Sequence, residues 1–167
     1  THRTPTKEAN YVANLASGMV DGLLLVLPRE PQNLIETMKE PRFPFVLIDH
    51  RGNDEDCPAV GATNWSGGYN ATEYLIELGH KRIGHITGSM DLGCAVDRLA
   101  GYKSALKTYH LAQAPELIYE GDFAQTDGYE GALALLDLSD PPTAIFAAND
   151  VTAMGVMDAV RVRGLRV

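Results

Sequence analysis

Short apolar runs alternate with segments of helical spacing along almost the whole chain, and this alternation limits the possible folds more than any other feature. The runs are Gly22–Leu27, Phe45–Ile48, Arg82–Thr87 and Thr143–Ala147. Each is followed by a loop and then by a stretch whose apolar residues recur every three or four positions. Strands that alternate with helices in this way build βαβ units, and βαβ units build a parallel sheet. The near-continuous hydrophobicity of the runs predicts strands covered on both faces.

Five helices follow from the spacing. Lys7–Ala16 places Tyr11, Val12 and Leu15 on one face, and Ser66–Leu78 carries Tyr69, Leu75, Ile76 and Leu78. Gly79 then supplies a left-handed stop. A third helix opens at Arg98 and runs to Tyr109. Asp127 and Glu130 form a capping-box-like pair at the head of a fourth, Gly128–Leu136. The fifth starts after Asn149 or Asp150, buries Ala153, Val156, Met157 and Val160, and ends before Gly164. The stretch Asp56–Gly68 lies between two sets of βα units. It predicts a crossing between two lobes near Ala62-Thr63, hence part of one lobe over 1–62 and part of another over 63–167. A helix comes first and the chain closes on Leu165-Arg166-Val167, the approach to a further strand, so both ends read as cut.

Several function classes fall away on composition. The net charge is −8, from 22 acidic and 14 basic residues, and an acidic surface repels phosphate, so a broad DNA-gripping face is excluded here. No apolar run approaches the ~20 residues of a membrane span. The leading THRTPTKEAN lacks a secretory core, which points to the cytoplasm. Cys57 and Cys94 sit in unrelated settings without metal-ligand spacing and read as free thiols. The acidic run Asp54–Cys57 reads as a solvated loop.

No catalytic signature is present: no phosphate loop, no GxGxxG, no GxSxG and no HExxH. His80 and His85 straddle a turn and a strand, which is poor geometry for a shared metal. Asp49-His50 is the one Asp/His pairing, and adjacent strand residues point to opposite faces. What remains is a pattern of position, because ligands of open parallel sheets bind beyond the carboxyl ends of the strands. Asp49 follows one strand, Ser89 and Asp91 follow another, and Asn149 and Asp150 follow a third. Arg98 opens the helix after the Ser89–Asp97 loop, and Phe123 lies in the loop before the fourth helix. Such a set suits a polyhydroxylated or otherwise hydrogen-bonding ligand. Carboxylate and amide oxygens accept, guanidinium and amide nitrogens donate, and a ring covers a C–H face. Each residue also has a structural alternative: a helix cap for Asn149 or Asp150, the core for Phe123, an ion pair or helix end for Arg98.

The segments YLIELGHKRIGHITG (Tyr74–Gly88), DRLAGYKSAL (Asp97–Leu106), EGDF (Glu120–Phe123) and PTAIFAANDVTAMGVM (Pro142–Met157) follow VDGLLL (Val20–Leu25) and PFVLID (Pro44–Asp49) in order. Together they resemble the effector-binding domain of the LacI/GalR family of bacterial transcription regulators, over nearly the whole chain. The resemblance implies an α/β fold of two Rossmann-like lobes with helix-flanked parallel sheets, periplasmic binding protein-like type I, present here incompletely. It implies a small-molecule effector, a sugar, taken up between the lobes, no cofactor and no catalysis. It also implies a homodimer that reads operator DNA through an N-terminal helix-turn-helix headpiece absent from this chain. Carried over by motif, the ligand residues are Asp49, Arg98, Phe123 and Asn149. Asp150 is given a helix-capping role first, and Asp91 lies in the variable loop. At Thr63-Asn64 the family often has Asp-Asn, so any hinge role for that acid is absent. A periplasmic sugar-binding protein of a transport system shares the architecture, but the GHKRI and RLAGY wording favours the regulator. A carbohydrate-active hydrolase would need a carboxylate pair or an activated nucleophile, and none is convincing.

Overall fold

The computed structural model describes residues 5–26, 35–38, 42–49 and 57–167, and the chain divides into two compact units, Thr1–Ala62 and Thr63–Val167. Leu27, His50 and the acidic residues Asp54–Asp56 lie outside the described residues.

In the first unit, helix α1 (Pro5–Ala16) leads to three parallel strands, β1 (Leu23–Val26), β2 (Phe45–Ile48) and β3 (Ala59–Val60), in the order β1-β2-β3. Leu23 pairs with Phe45 and Val26 with Ile48, while Leu47 and Ile48 pair with Ala59 and Val60. Val12 and Met38 are buried against Leu23, Leu25, Phe43 and Phe45, and Ile35, Leu47 and Cys57 form an adjoining cluster. Two expectations fail here. Tyr11 does not share the buried face of Val12 but is 64% exposed. The strand β1 is not covered on both faces: Leu24 and Val26 face outward, 69% and 63% exposed, so burial alternates along it.

The second unit holds α2 (Asn64–Glu77), β4 (Ile83–Ile86), α3 (Gly93–Thr108), a 3-10 turn (Pro115–Leu117), β5 (Ile118–Tyr119), α4 (Gln125–Leu136), β6 (Ala144–Ala147) and α5 (Asp150–Val162). Its sheet is parallel with β4 in the centre, in the order β5-β4-β6. The strand period of two sends alternate β4 side chains to opposite helix layers. Ile83 packs with Tyr102 and Leu106 of α3, and Leu75 and Ile76 of α2 join them. Ile86 packs with Ala132 and Leu135 of α4 and with Val156, Ala159 and Val160 of α5. All four β4 residues are buried, as a continuous apolar run predicts. The short strands β3 and β5 carry no legible run of their own.

Each helix layer is locked by a pair of glycines. A Cβ on Gly68 of α2 would fall inside the Arg98 carbonyl, and one on Gly101 of α3 inside the Trp65 carbonyl. The other layer repeats the device: a Cβ on Gly128 of α4 would overlap the Thr152 carbonyl, and one on Gly155 of α5 the Gln125 carbonyl. The backbones of each pair are therefore in direct contact, which no side chain larger than hydrogen permits.

Helix ends differ from the sequence reading in instructive ways. Gly79 is left-handed at φ +96° and closes α2 as expected. The helix α3 begins at Gly93, so Arg98 projects from its second turn rather than opening it. The helix α4 begins at Gln125, and Asp127 alone serves its head, accepting from the backbone N–H of Asp122 and Ala124 at 2.7 and 3.3 Å. Glu130, one turn in, is exposed. On α5, Val156 and Val160 are buried, but Met157 is 39% exposed, because the buried arc turns through Thr152, Gly155 and Ala159 instead.

The adjacent glycines 67 and 68 separate packing from helix propensity. Gly68→Ala is expected to destabilise the chain by ~1–3 kcal/mol through overpacking. A Cβ on Gly67 would meet nothing within 4 Å, so Gly67→Ala should gain ~0.5–1 kcal/mol. Urea midpoints that move in opposite directions check both.

Candidate functional site

Three chain segments leave the carboxyl edge of the second sheet side by side: Thr87-Gly88 after β4, Gly121–Phe123 after β5 and Ala148-Asn149 after β6. At this edge α3 delivers Arg98 and the first turn of α2 delivers Asn64.

Arg98 is the hub. Its Nε–H and one Nη2–H both donate to a single acceptor, Oδ1 of Asn64, at 3.0 and 2.9 Å, and Nη1 donates to the Ala148 carbonyl at 2.6 Å. The guanidinium carbon lies 5.8 Å from the centre of the Phe123 ring, a cation–π distance. A guanidinium has five N–H donors. Three are engaged, which leaves one on each Nη nitrogen for a further acceptor.

Phe123 has φ +64°, a left-handed backbone that costs a bulky residue of order 1–3 kcal/mol. Two contacts hold it there. The tip of its ring fills the space that a Gly88 side chain would occupy, and its carbonyl accepts from Asn149 Nδ2 at 3.3 Å. Phe123 is thus not a buried core residue but a half-buried ring between Gly88 and Arg98.

Asn149 is the N-cap of α5, its Oδ1 accepting from the Thr152 N–H at 2.7 Å. This corrects the division of labour expected for the turn: the cap is Asn149, and Asp150 is an exposed first-turn residue whose charge favours the positive end of the helix. The cap leaves Asn149 chemically open. An amide has two N–H donors and two acceptor lone pairs, and one of each is spoken for.

The remaining predicted residues lie on other segments. Asp91 is exposed in the turn that leads into α3. Asp49 belongs to the first unit, at the end of β2, left-handed at φ +56°, with its N–H donating to the Val60 carbonyl at 2.7 Å. Motif reading does not find Asn64. The signal available was an amide residue opening the first helix after the predicted crossing. An open apolar groove of about 500 Å³ in the first unit, lined by Leu23, Phe43, Pro44, Phe45 and Pro58 among others, lies at the amino ends of its strands. It has neither the position nor the polarity of the set above.

Residues 72–167 match the family model of the periplasmic binding protein-like domain. The chain belongs to that family. Its relatives are repressors of the LacI type, as the GHKRI and RLAGY segments imply. It is 38% identical over 170 residues to the HTH-type transcriptional repressor PurR of Histophilus somni, covering 100% of this chain and 50% of the relative. The chain therefore spans about half the length of the curated relatives it matches. Among solved structures it superposes on a LacI transcriptional regulator from Bacillus cereus subsp. cytotoxis at TM-score 0.91 and 35% identity, covering 100% of this chain and 60% of that one. A sugar-binding LacI-family regulator from Escherichia coli, solved with phosphate, matches at TM-score 0.85 and 28% identity, over 99% and 60% of the two chains. The periplasmic binding protein-like family thus accounts for the parallel second sheet and the helices that flank it.

Beneath this edge β4 carries a buried histidine. His85 stacks on Phe146 at 4.5 Å between ring centres and tilts against Tyr102 at 5.1 Å. Its Nδ1 lies 2.8 Å from the Phe146 carbonyl, so that nitrogen holds the proton, and Nε2 is a buried atom with no partner. Charging the ring would put a second N–H where nothing accepts it. Burial accordingly lowers the pKa to about 4, from 6.5, against the opposing pull of that carbonyl. The unfolded chain then binds a proton between pH 6.5 and 4 that the folded chain does not. The stability that neutral His85 confers is full above pH 6.5 and is lost as pH falls through that window, by ~3 kcal/mol in all. His85→Phe should remove this part of the slope, and urea titrations of both proteins between pH 4 and 7 check it.

Proposed function

We propose that the chain is the ligand-sensing part of a cytoplasmic LacI-type transcription regulator, and that its effector is a sugar or a similarly hydrogen-bonding small molecule. The observation that carries the reading is Arg98. Its guanidinium is fixed by Asn64 and Ala148, faces an aromatic ring, and keeps two N–H donors on adjacent nitrogens. Sugar hydroxyls accept from such donors, and the Phe123 ring suits a sugar's C–H face. The Escherichia coli regulator with the same fold is sugar-binding. Arg98, Phe123 and Asn149 are the ligand residues of the second unit, and Asp49 is that of the first. Asp91 and Asp150, both exposed, act at the rim. Nothing in the set provides a nucleophile with its base, so the role is binding and not catalysis.

A change of operator affinity requires that the effector bind one conformation better than another. The acidic chain does not grip DNA itself; the operator is read by a helix-turn-helix headpiece in the full-length protein, in line with HTH-type relatives. The assembly is a homodimer. Val151, Met154, Met157 and Val162 share an arc of about 140° on α5, and all four are exposed. Asp150 and the Asp158–Arg161 ion pair share this arc, and a mixed apolar and charged helix face is what a self-complementary contact buries.

A melting screen with D-ribose, cellobiose, sugar phosphates and nucleobases identifies the effector. At 100 times its dissociation constant it stabilises by ~2.7 kcal/mol. Arg98→Ala and Asn149→Ala, each measured against its own unliganded baseline, should abolish the shift. Two variants that shift like the parent would rule the site out. In the full-length protein the same compound should alter operator affinity. The partner face has its own check: Met154→Lys should weaken self-association at least tenfold in sedimentation experiments.

A further inference from the structure

The guanidinium of Arg98 has two edges, and Asn64 occupies one of them completely. A single amide oxygen bridging Nε–H and Nη2–H fixes the rotation of the group about its last side-chain bonds. The Asn64 side chain is itself buried, and its backbone is tied to α3 by the contacts at Gly68 and Gly101, one of which involves the Arg98 carbonyl. The same helix that seats the Arg98 main chain therefore also orients its head group. Asn64 is also the second residue of the second unit, at the start of the first helix after the boundary at Ala62.

We propose that Asn64 is the positioning residue of the effector site, holding the Nε/Nη2 edge of Arg98 so that the free Nη donors face the ligand. The inference rests on the proposed role of Arg98. It adds that affinity depends on a residue which does not touch the effector. Without Asn64 the guanidinium keeps its charge, its ring contact and the Ala148 bond, but it loses the constraint on its plane. Rotational freedom then has to be lost on binding, and affinity falls although every ligand-contacting residue is present. Because the bridge reaches the first turn of α2, a ligand that pulls on Arg98 also pulls on the helix that follows the crossing.

The test uses the 167-residue chain and the exchange rate of the Arg98 Nε–H, followed by nitrogen-15 NMR and assigned by its absence in Arg98→Lys. A proton held by a buried acceptor exchanges slowly. Asn64→Ala should speed its exchange at least tenfold, Asn64→Ser should do the same with a milder change in packing, and Asn64→Asp, which keeps an acceptor in place, should restore protection. Exchange unchanged in Asn64→Ala and in Asn64→Ser would overturn the proposal. Melting shifts with D-ribose, cellobiose and hypoxanthine form the second arm. Whichever compound stabilises the parent should lose at least tenfold in affinity in Asn64→Ala and recover in Asn64→Asp. If Arg98→Lys abolishes binding while Asn64→Ala retains it, the positioning claim fails and the site stands. If Arg98→Lys binds like the parent, the site reading fails first.

Discussion

The contact between glycine and carbonyl oxygen across each helix pair governs the architecture of the second unit. Gly68 with Gly101 and Gly128 with Gly155 let two backbones meet where side chains would ordinarily hold them apart. Helices packed through side chains sit roughly 8–10 Å apart and adjust to substitution by repacking. Backbones in contact have no such slack. Each helix is then fixed against its neighbour, and it is the first two turns of these helices and the loops before them that carry Asn64, Arg98, Phe123 and Asn149.

The central strand completes this framework from below. Alternate residues of β4 commit to opposite layers, so that Ile83 and His85 belong with α3 and Ile86 with α4 and α5. The polar ring of His85 is kept neutral by burial and joined to β6 through the Phe146 carbonyl. A pH-sensitive group thus lies one strand residue away from Thr87-Gly88, where the Phe123 ring rests.

The alternation of apolar runs and helical segments made the parallel α/β class legible, and the four long strands fall where the runs do. Four features were not legible, each for a physical reason. The strands β3 and β5 are two residues long, too short for a pattern. The exposed face of β1 reads as apolar as its buried face, because hydrophobicity reports potential burial and not actual partners. The start of α3 was placed too late since Gly93, Cys94 and Ala95 carry no cap residue or periodic stripe, and no side chain caps that helix. Asn64 escaped because its role is a contact with a residue thirty-four positions away. For Asn149 and Asp150 the cap falls on the first residue and not the second, since either can cap a helix on sequence grounds alone.

The hydrogen bond from the Asn149 amide to the Phe123 carbonyl has a consequence for how such a site can change its ligand. The aromatic residue occupies a backbone conformation that it would not choose by itself, and the neighbour that keeps it there is also a candidate ligand contact and a helix cap. Altering position 149 to suit another effector releases the ring at 123, and altering 123 leaves the amide with a different task. The two positions are one unit of variation. On the proposed reading, lineages that acquire new effectors are expected to exchange both residues together, or to keep both and vary the exposed loop around Asp91 instead.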